Sequence, residues 1–151
     1  MTEQIQDAGK ETKMDLIDLE ISRTIAAAPG AIYDAWLDAT KPGGPWYGCD
    51  RVILNPVVDG LFYHSVQHAG REWAHYGRFI RLERPALIEH SWMSEATQAV
   101  DTIVTLTLEP QGDGALVTLR QARVPDDAMG RQHKDGWTFI LDAIAARLQR
   151  A

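Results

Sequence analysis

Near the end of the chain, Trp137, Ile140, Leu141, Ile144 and Leu148 recur at i, i+3, i+4, i+7 and i+11. That spacing puts them on one face of a helix, read over residues 126–149. Pro125-Asp126-Asp127 gives the helix an acidic start, and Arg147 and Arg150 place cations in its last turn, both in the sense the helix dipole favours. A long helix with one apolar stripe must bury that stripe against a large partner surface.

The rest of the chain supplies strands for that surface. Residues 15–25 alternate apolar and polar side chains, as in Leu16-Ile17-Asp18-Leu19-Glu20-Ile21. Strand-like segments follow at 50–54, 60–67, 72–82, 86–93 and 101–109, with a further one at 115–121 after the turn Gln111-Gly112-Asp113-Gly114. Their connections are short and marked by Gly or Pro, which favours antiparallel meander pairing. Between the first two strands, Pro29 stands at the first turn of a short helix carrying Ile32, Ala35 and Trp36, and Asp38 to Pro45 end it. The expected architecture is α+β: a helix-grip fold, in which a curved antiparallel sheet of about six or seven strands wraps around a long C-terminal helix.

Length and charge limit the alternatives. A chain of 151 residues suits one domain, taken as residues 14–151, with residues 1–13 as a flexible leader. That leader is polar, without the apolar core of a secretory signal, and no run approaches the ~18 apolar residues of a membrane span. The formal net charge of -6 argues against a nucleic-acid binder. Cys49 is the single cysteine, so no disulfide forms within the chain and a cytoplasmic location is expected. Cys49 itself reads as a small, part-buried hydrophobe.

One hairpin brings polar chemistry together. If strands 60–67 and 72–82 are joined by the two residues Ala69-Gly70, or by the four from His68 to Arg71, facing residues sum to 139, so His64 opposes His75, Val66 opposes Trp73 and Phe62 opposes Gly77. Gly77 then leaves room for the Phe62 ring. His64 and His75 are the candidate catalytic residues, since histidine titrates near neutral pH. No CxxC spacing accompanies them, and neither a metal nor another cofactor is expected. Nucleophile-elbow, phosphate-loop and paired-carboxylate motifs are missing as well.

Four stretches carry a resemblance: Ala28-Pro29 with Ile32-Tyr33-Asp34-Ala35 and Trp46-Tyr47; Asp59-Gly60-Leu61-Phe62; Gly77 through Pro85 with Leu87; and Gly136-Trp137 with Leu141 and Leu148. In this order they resemble the START-like (SRPBCC) superfamily, which includes the birch-pollen-allergen fold and polyketide cyclases. They are most similar to its AHSA-type branch, named for activators of a heat-shock chaperone ATPase. Asp59 stands where the pattern has a glycine, and Arg81 where an acidic residue is common. The resemblance implies that the Phe62 face points inward, toward the long helix.

On that basis the ligand-binding candidates are Trp46, Phe62, His64, Trp73, His75, Phe79, His90, Trp92 and Trp137. The expected activity is binding of a small hydrophobic or aromatic molecule, lipid or polyketide-like, in an internal cavity between sheet and helix. One alternative is an enzyme of cyclase or dehydratase type using a pocket histidine as acid/base. The other is a regulator of a heat-shock chaperone ATPase, with the chaperone as partner, implied by the branch name alone. The opposite sheet face, with Leu61, Tyr63, Tyr76, Ile80 and Leu82, is apolar too. Either it packs on a second copy in a homodimer, or the inner face is the other one.

Overall fold

A computed structural model describes residues 14–149; the leader expected over residues 1–13, and Arg150, lie outside it. The strands are β1 (Leu16–Ile25), β2 (Arg51–Leu54), β3 (Leu61–His68), β4 (Arg71–Glu83), β5 (Leu87–Ser94), β6 (Thr102–Gln111) and β7 (Gly114–Pro125). The helices are α1 (Pro29–Trp36) and α2 (Ala128–Leu148), and a single 3-10 turn, Glu95–Thr97, follows β5. All seven strands form one antiparallel sheet in the order β1-β7-β6-β5-β4-β3-β2. β2 to β7 are the expected meander. β1 closes the far edge against β7, so α1 and the loop after it carry the chain across the whole sheet.

Alternation along the strands builds the inner face row by row. Ile21, Leu119, Leu106, Ile88 and Leu82 pair across five strands. The buried residues Trp137, Leu141, Ile144 and Ala145 of α2 join the same core cluster, with Ile140 and Leu148 packed at its margin. The helix-grip arrangement is therefore present, and the stripe read from the sequence is its contact face.

Three local readings change. β7 runs on to Pro125, four residues beyond the expected 121, and α2 starts at Ala128 rather than 126. The cause is the cap: Asp127 stays extended and its carboxylate accepts from the Gly130 N–H at 2.6 Å, so Asp126 and Asp127 precede the helix. Leu82, expected outside, lies inside. The β4–β5 register shifts between Phe79 and Arg81, and this bulge turns Leu82 round to pair with Ile88. Arg81, standing where an acidic residue is common in the resemblance, is exposed and bonds Glu83 at 2.7 Å.

Asp59, standing at the glycine position of the resemblance, adopts a left-handed φ of 68°. Gly60 beside it has no space for a side chain: a Cβ there would lie 2.1 Å from the Asn55 carbonyl oxygen.

The Phe62 face is the inner one, with Phe62 and His64 both buried. The outer face nevertheless carries a continuous row, Ile53, Tyr63, Tyr76 and Met93, across β2 to β5. Ile53 is 65% exposed and Tyr76 47%.

Candidate functional site

β3 and β4 are joined by Ala69 and Gly70, with φ of 54° and 77°. Two positive φ values give the two-residue turn whose twist suits a hairpin, and this turn fixes the register. His64 opposes His75, Val66 opposes Trp73 and Phe62 opposes Gly77. The Trp73 indole N–H donates to the His68 carbonyl at 2.9 Å, and the Arg71 guanidinium lies 4.0 Å over its ring.

Between the turn end of this hairpin and the first half of α2 lies a cleft of about 720 Å³. The sheet contributes His64, Val66, Trp73, His75 and Trp92; the helix contributes Gln132, His133, Trp137 and Ile140. The cleft opens to solvent past Met129 and Phe139, the latter 72% exposed.

Five of the nine candidates named from the sequence meet in this cleft: His64, Trp73, His75, Trp92 and Trp137. Trp46, Phe62, Phe79 and His90 sit deeper, all nearly or fully buried. Their rings pack together, with Trp46 edge-on to Phe62 at 5.1 Å and Phe62 edge-on to His90 at 5.4 Å. Aromatic packing thus fills the deep end of the sheet's concavity, and the cleft lies at the hairpin end. His90 spends both ring nitrogens within the protein. Nδ1 donates to the Ser91 carbonyl at 2.9 Å, and Nε2 accepts from the Trp36 indole at 3.4 Å.

His64 and His75 are different. The His64 and His75 rings stack with centroids 4.6 Å apart and planes 6° from parallel. Nδ1 of each, and Nε1 of Trp92, are buried without a hydrogen-bond partner among the described residues. Burial lowers His64 to about 3, with His75 and His90 adding to the effect. Burial also lowers His75 to about 4, helped by His133, and His90 to about 4. His133, whose Nδ1 donates to the Gly130 carbonyl at 2.9 Å, is likewise lowered, chiefly by burial. These imidazoles are neutral at pH 7.

A buried polar chain braces the cleft's back wall. The Trp137 indole donates to Gln121 at 2.7 Å, Gln121 donates to the Thr102 hydroxyl at 3.0 Å, and that hydroxyl donates to the Trp92 carbonyl. One network therefore ties α2 to β5, β6 and β7.

Residues 26–149 of the chain match the family described as activator of Hsp90 ATPase homolog 1-like protein. The chain belongs to this family. No curated protein matches the sequence of this AHSA1-like domain. Solved structures share its fold. Mll3558 from Rhizobium loti superposes with a TM-score of 0.75 at 19% identity, covering 90% of this chain and 99% of the other. CV1439 from Chromobacterium violaceum gives 0.71 at 24% identity, covering 87% and 96%. The AHSA1-like protein from Aeromonas hydrophila gives 0.66 at 19% identity, covering 89% and 93%.

Within the AHSA1-like domain, the sequence reading passed over Gln132, Met129 and Phe139 as cleft residues, and Gln121 and Thr102 as the brace. A signal existed for the helix side. Met129, His133, Gly136 and Ile140 continue the apolar stripe toward the helix start at the same spacing, with polar residues where core would be expected. Cys49 keeps its bland reading: burial pushes its thiol up to about 11, so it is not a nucleophilic thiolate at neutral pH. No metal-ligating group of three or more His, Cys, Asp or Glu occurs among the described residues, and no described helix is long and apolar enough to cross a membrane.

The lowered histidines predict acid lability. Below about pH 6.5 the unfolded chain binds protons that the folded chain refuses, so the stabilisation is full above that pH and is lost as pH falls toward 4. The lowered carboxylates of Asp18, Asp34 and Asp127 lose their contribution only at still lower pH. His64→Gln should therefore flatten the decline of unfolding free energy between pH 6.5 and 5 by up to about 1.4 kcal/mol per pH unit. Denaturant titrations at several pH values measure this; an unchanged slope would remove His64 from the account.

Proposed function

We propose that this domain binds a small apolar or aromatic molecule in the cleft between the β3–β4 hairpin and the first half of α2. The observation that carries the proposal is the cleft itself. Its volume of about 720 Å³ lies within the ~300–1,000 Å³ of small-molecule sites. Its walls are mainly aromatic and aliphatic, with a few buried polar atoms left unpartnered by the protein. Exposed polar side chains of the lining, Gln67 and Gln132, can meet a ligand's polar group.

The state of the histidines favours binding over acid/base chemistry. An efficient general acid or base has a pKa near the working pH, whereas His64 and His75 are held at about 3 and 4. Chaperone regulation has the family description as its support.

Nile red, an uncharged apolar dye, serves as a probe. We expect saturable binding with a blue-shifted emission, weakened about tenfold by Trp73→Ala. Native mass spectrometry of the freshly purified protein should also show a co-purifying small molecule. Equal dye binding by the wild type and Trp73→Ala would move the site elsewhere. Stimulation of a heat-shock chaperone's ATPase in a mixed assay would favour the regulator instead.

A further inference from the structure

The cleft's lining differs from an ordinary protein surface in one respect: no Asp, Glu, Lys or Arg contributes to it among the described residues. Its polar groups are histidines, glutamines and indoles. The cations nearest in sequence are Arg71, Arg131 and Lys134; none of them lines the cleft, and Lys134 is exposed. Arg71 lies over Trp73 and bonds Glu95 at 2.8 Å, lining a separate hollow of the sheet, and Arg131 bonds Asp126 at 2.6 Å. The unpartnered buried atoms, Nδ1 of His64 and of His75 and Nε1 of Trp92, belong to neutral rings. The chain as a whole carries a formal charge of -6, which repels anions at long range.

We propose that the cleft takes uncharged ligands bearing a neutral hydrogen-bonding group, a ketone or hydroxyl, and rejects the matching carboxylates. This rests on the binding reading above and names the ligand class for the same site. The reason is desolvation. A carboxylate entering this space loses water and finds neither a guanidinium nor an ammonium to replace it. A ketone gives up far less hydration, and a single neutral N–H, such as that of the exposed Gln132 amide, can satisfy it. Fatty acids are thereby disfavoured relative to alcohols, ketones and esters with the same hydrocarbon body.

The test compares 2-acetylnaphthalene with 2-naphthoate, which differ by a methyl group against a charged oxygen on the same skeleton, and includes unsubstituted naphthalene as a third probe. Binding is followed at pH 7.5 by calorimetry. We expect the ketone to bind at least tenfold tighter than the carboxylate in the wild type. Gln132→Arg, which sets a cation on an exposed lining position of α2, should narrow that ratio, measured within the variant itself, at least fivefold. Carboxylate binding as tight as the ketone, with naphthalene also bound, overturns this inference alone. Failure of all three probes and of Nile red removes the binding reading, and this inference with it.

Discussion

Trp137→Ala is expected to cost about 4 kcal/mol, in line with the ~3–5 kcal/mol of buried Trp→Ala changes. The melting temperature should fall by about 8–16 °C at roughly 2–4 °C per kcal/mol for a domain of this size. Trp137 is 4% exposed, packs edge-on against Trp92 at 4.7 Å and stacks on Trp36 at 5.7 Å. Its loss opens a cavity where helix and sheet meet and leaves the Gln121 side-chain oxygen Oε1 without its donor. Trp137→Phe separates these contributions. It keeps most of the ring packing and removes the N–H, so its cost should be about 1–3 kcal/mol. Thermal unfolding of both variants decides the matter; if Phe costs as much as Ala, the hydrogen bond outweighs the packing.

Gly77→Ala should cost about 3 kcal/mol, at the top of the ~1–3 kcal/mol range for overpacking, and lower the melting temperature by about 6–12 °C. A Cβ at Gly77 would stand 2.1 Å from two distal ring atoms of Phe62 and 2.5 Å from the Ser91 carbonyl oxygen. Phe62 is locked among Trp46, Phe79 and Trp92 and has nowhere to swing. Phe62→Leu lacks the distal ring atoms, so in the Gly77→Ala background it should cost about 1 kcal/mol less than alone. Additive costs would place the strain on the Ser91 backbone instead. The same change should disturb the cleft, because Phe62 supports His64 from below, with ring centroids 6.0 Å apart.

Much of this was legible in the residues. The stripe from Trp137 to Leu148 gave the helix and its buried face, because a period of 3.6 needs no tertiary knowledge to read. Ala69-Gly70 gave the His64–His75 pairing, because a two-residue turn leaves one register. The brace at Gln121 and Thr102 was not legible. A glutamine and a threonine on alternating strand positions look like ordinary solvent-facing residues, until the Trp137 indole arrives from a helix 16 residues away. Leu82 was misread because a bulge reverses parity, and no residue in 79–82 announces one.

For the helix-grip fold itself, periodicity and turn chemistry in the chain were sufficient, since each acts over a few neighbouring residues. The contents of the concavity were settled only by three-dimensional packing. Nine side chains had the right chemistry and faced the right way, but their ring volumes had to compete for one space. Trp46, Phe62, Phe79 and His90 filled the deep end, and His64, Trp73, His75, Trp92 and Trp137 were left to border the cleft. That division depends on shape and close packing across five strands and a helix, and on-face periodicity carries no record of it.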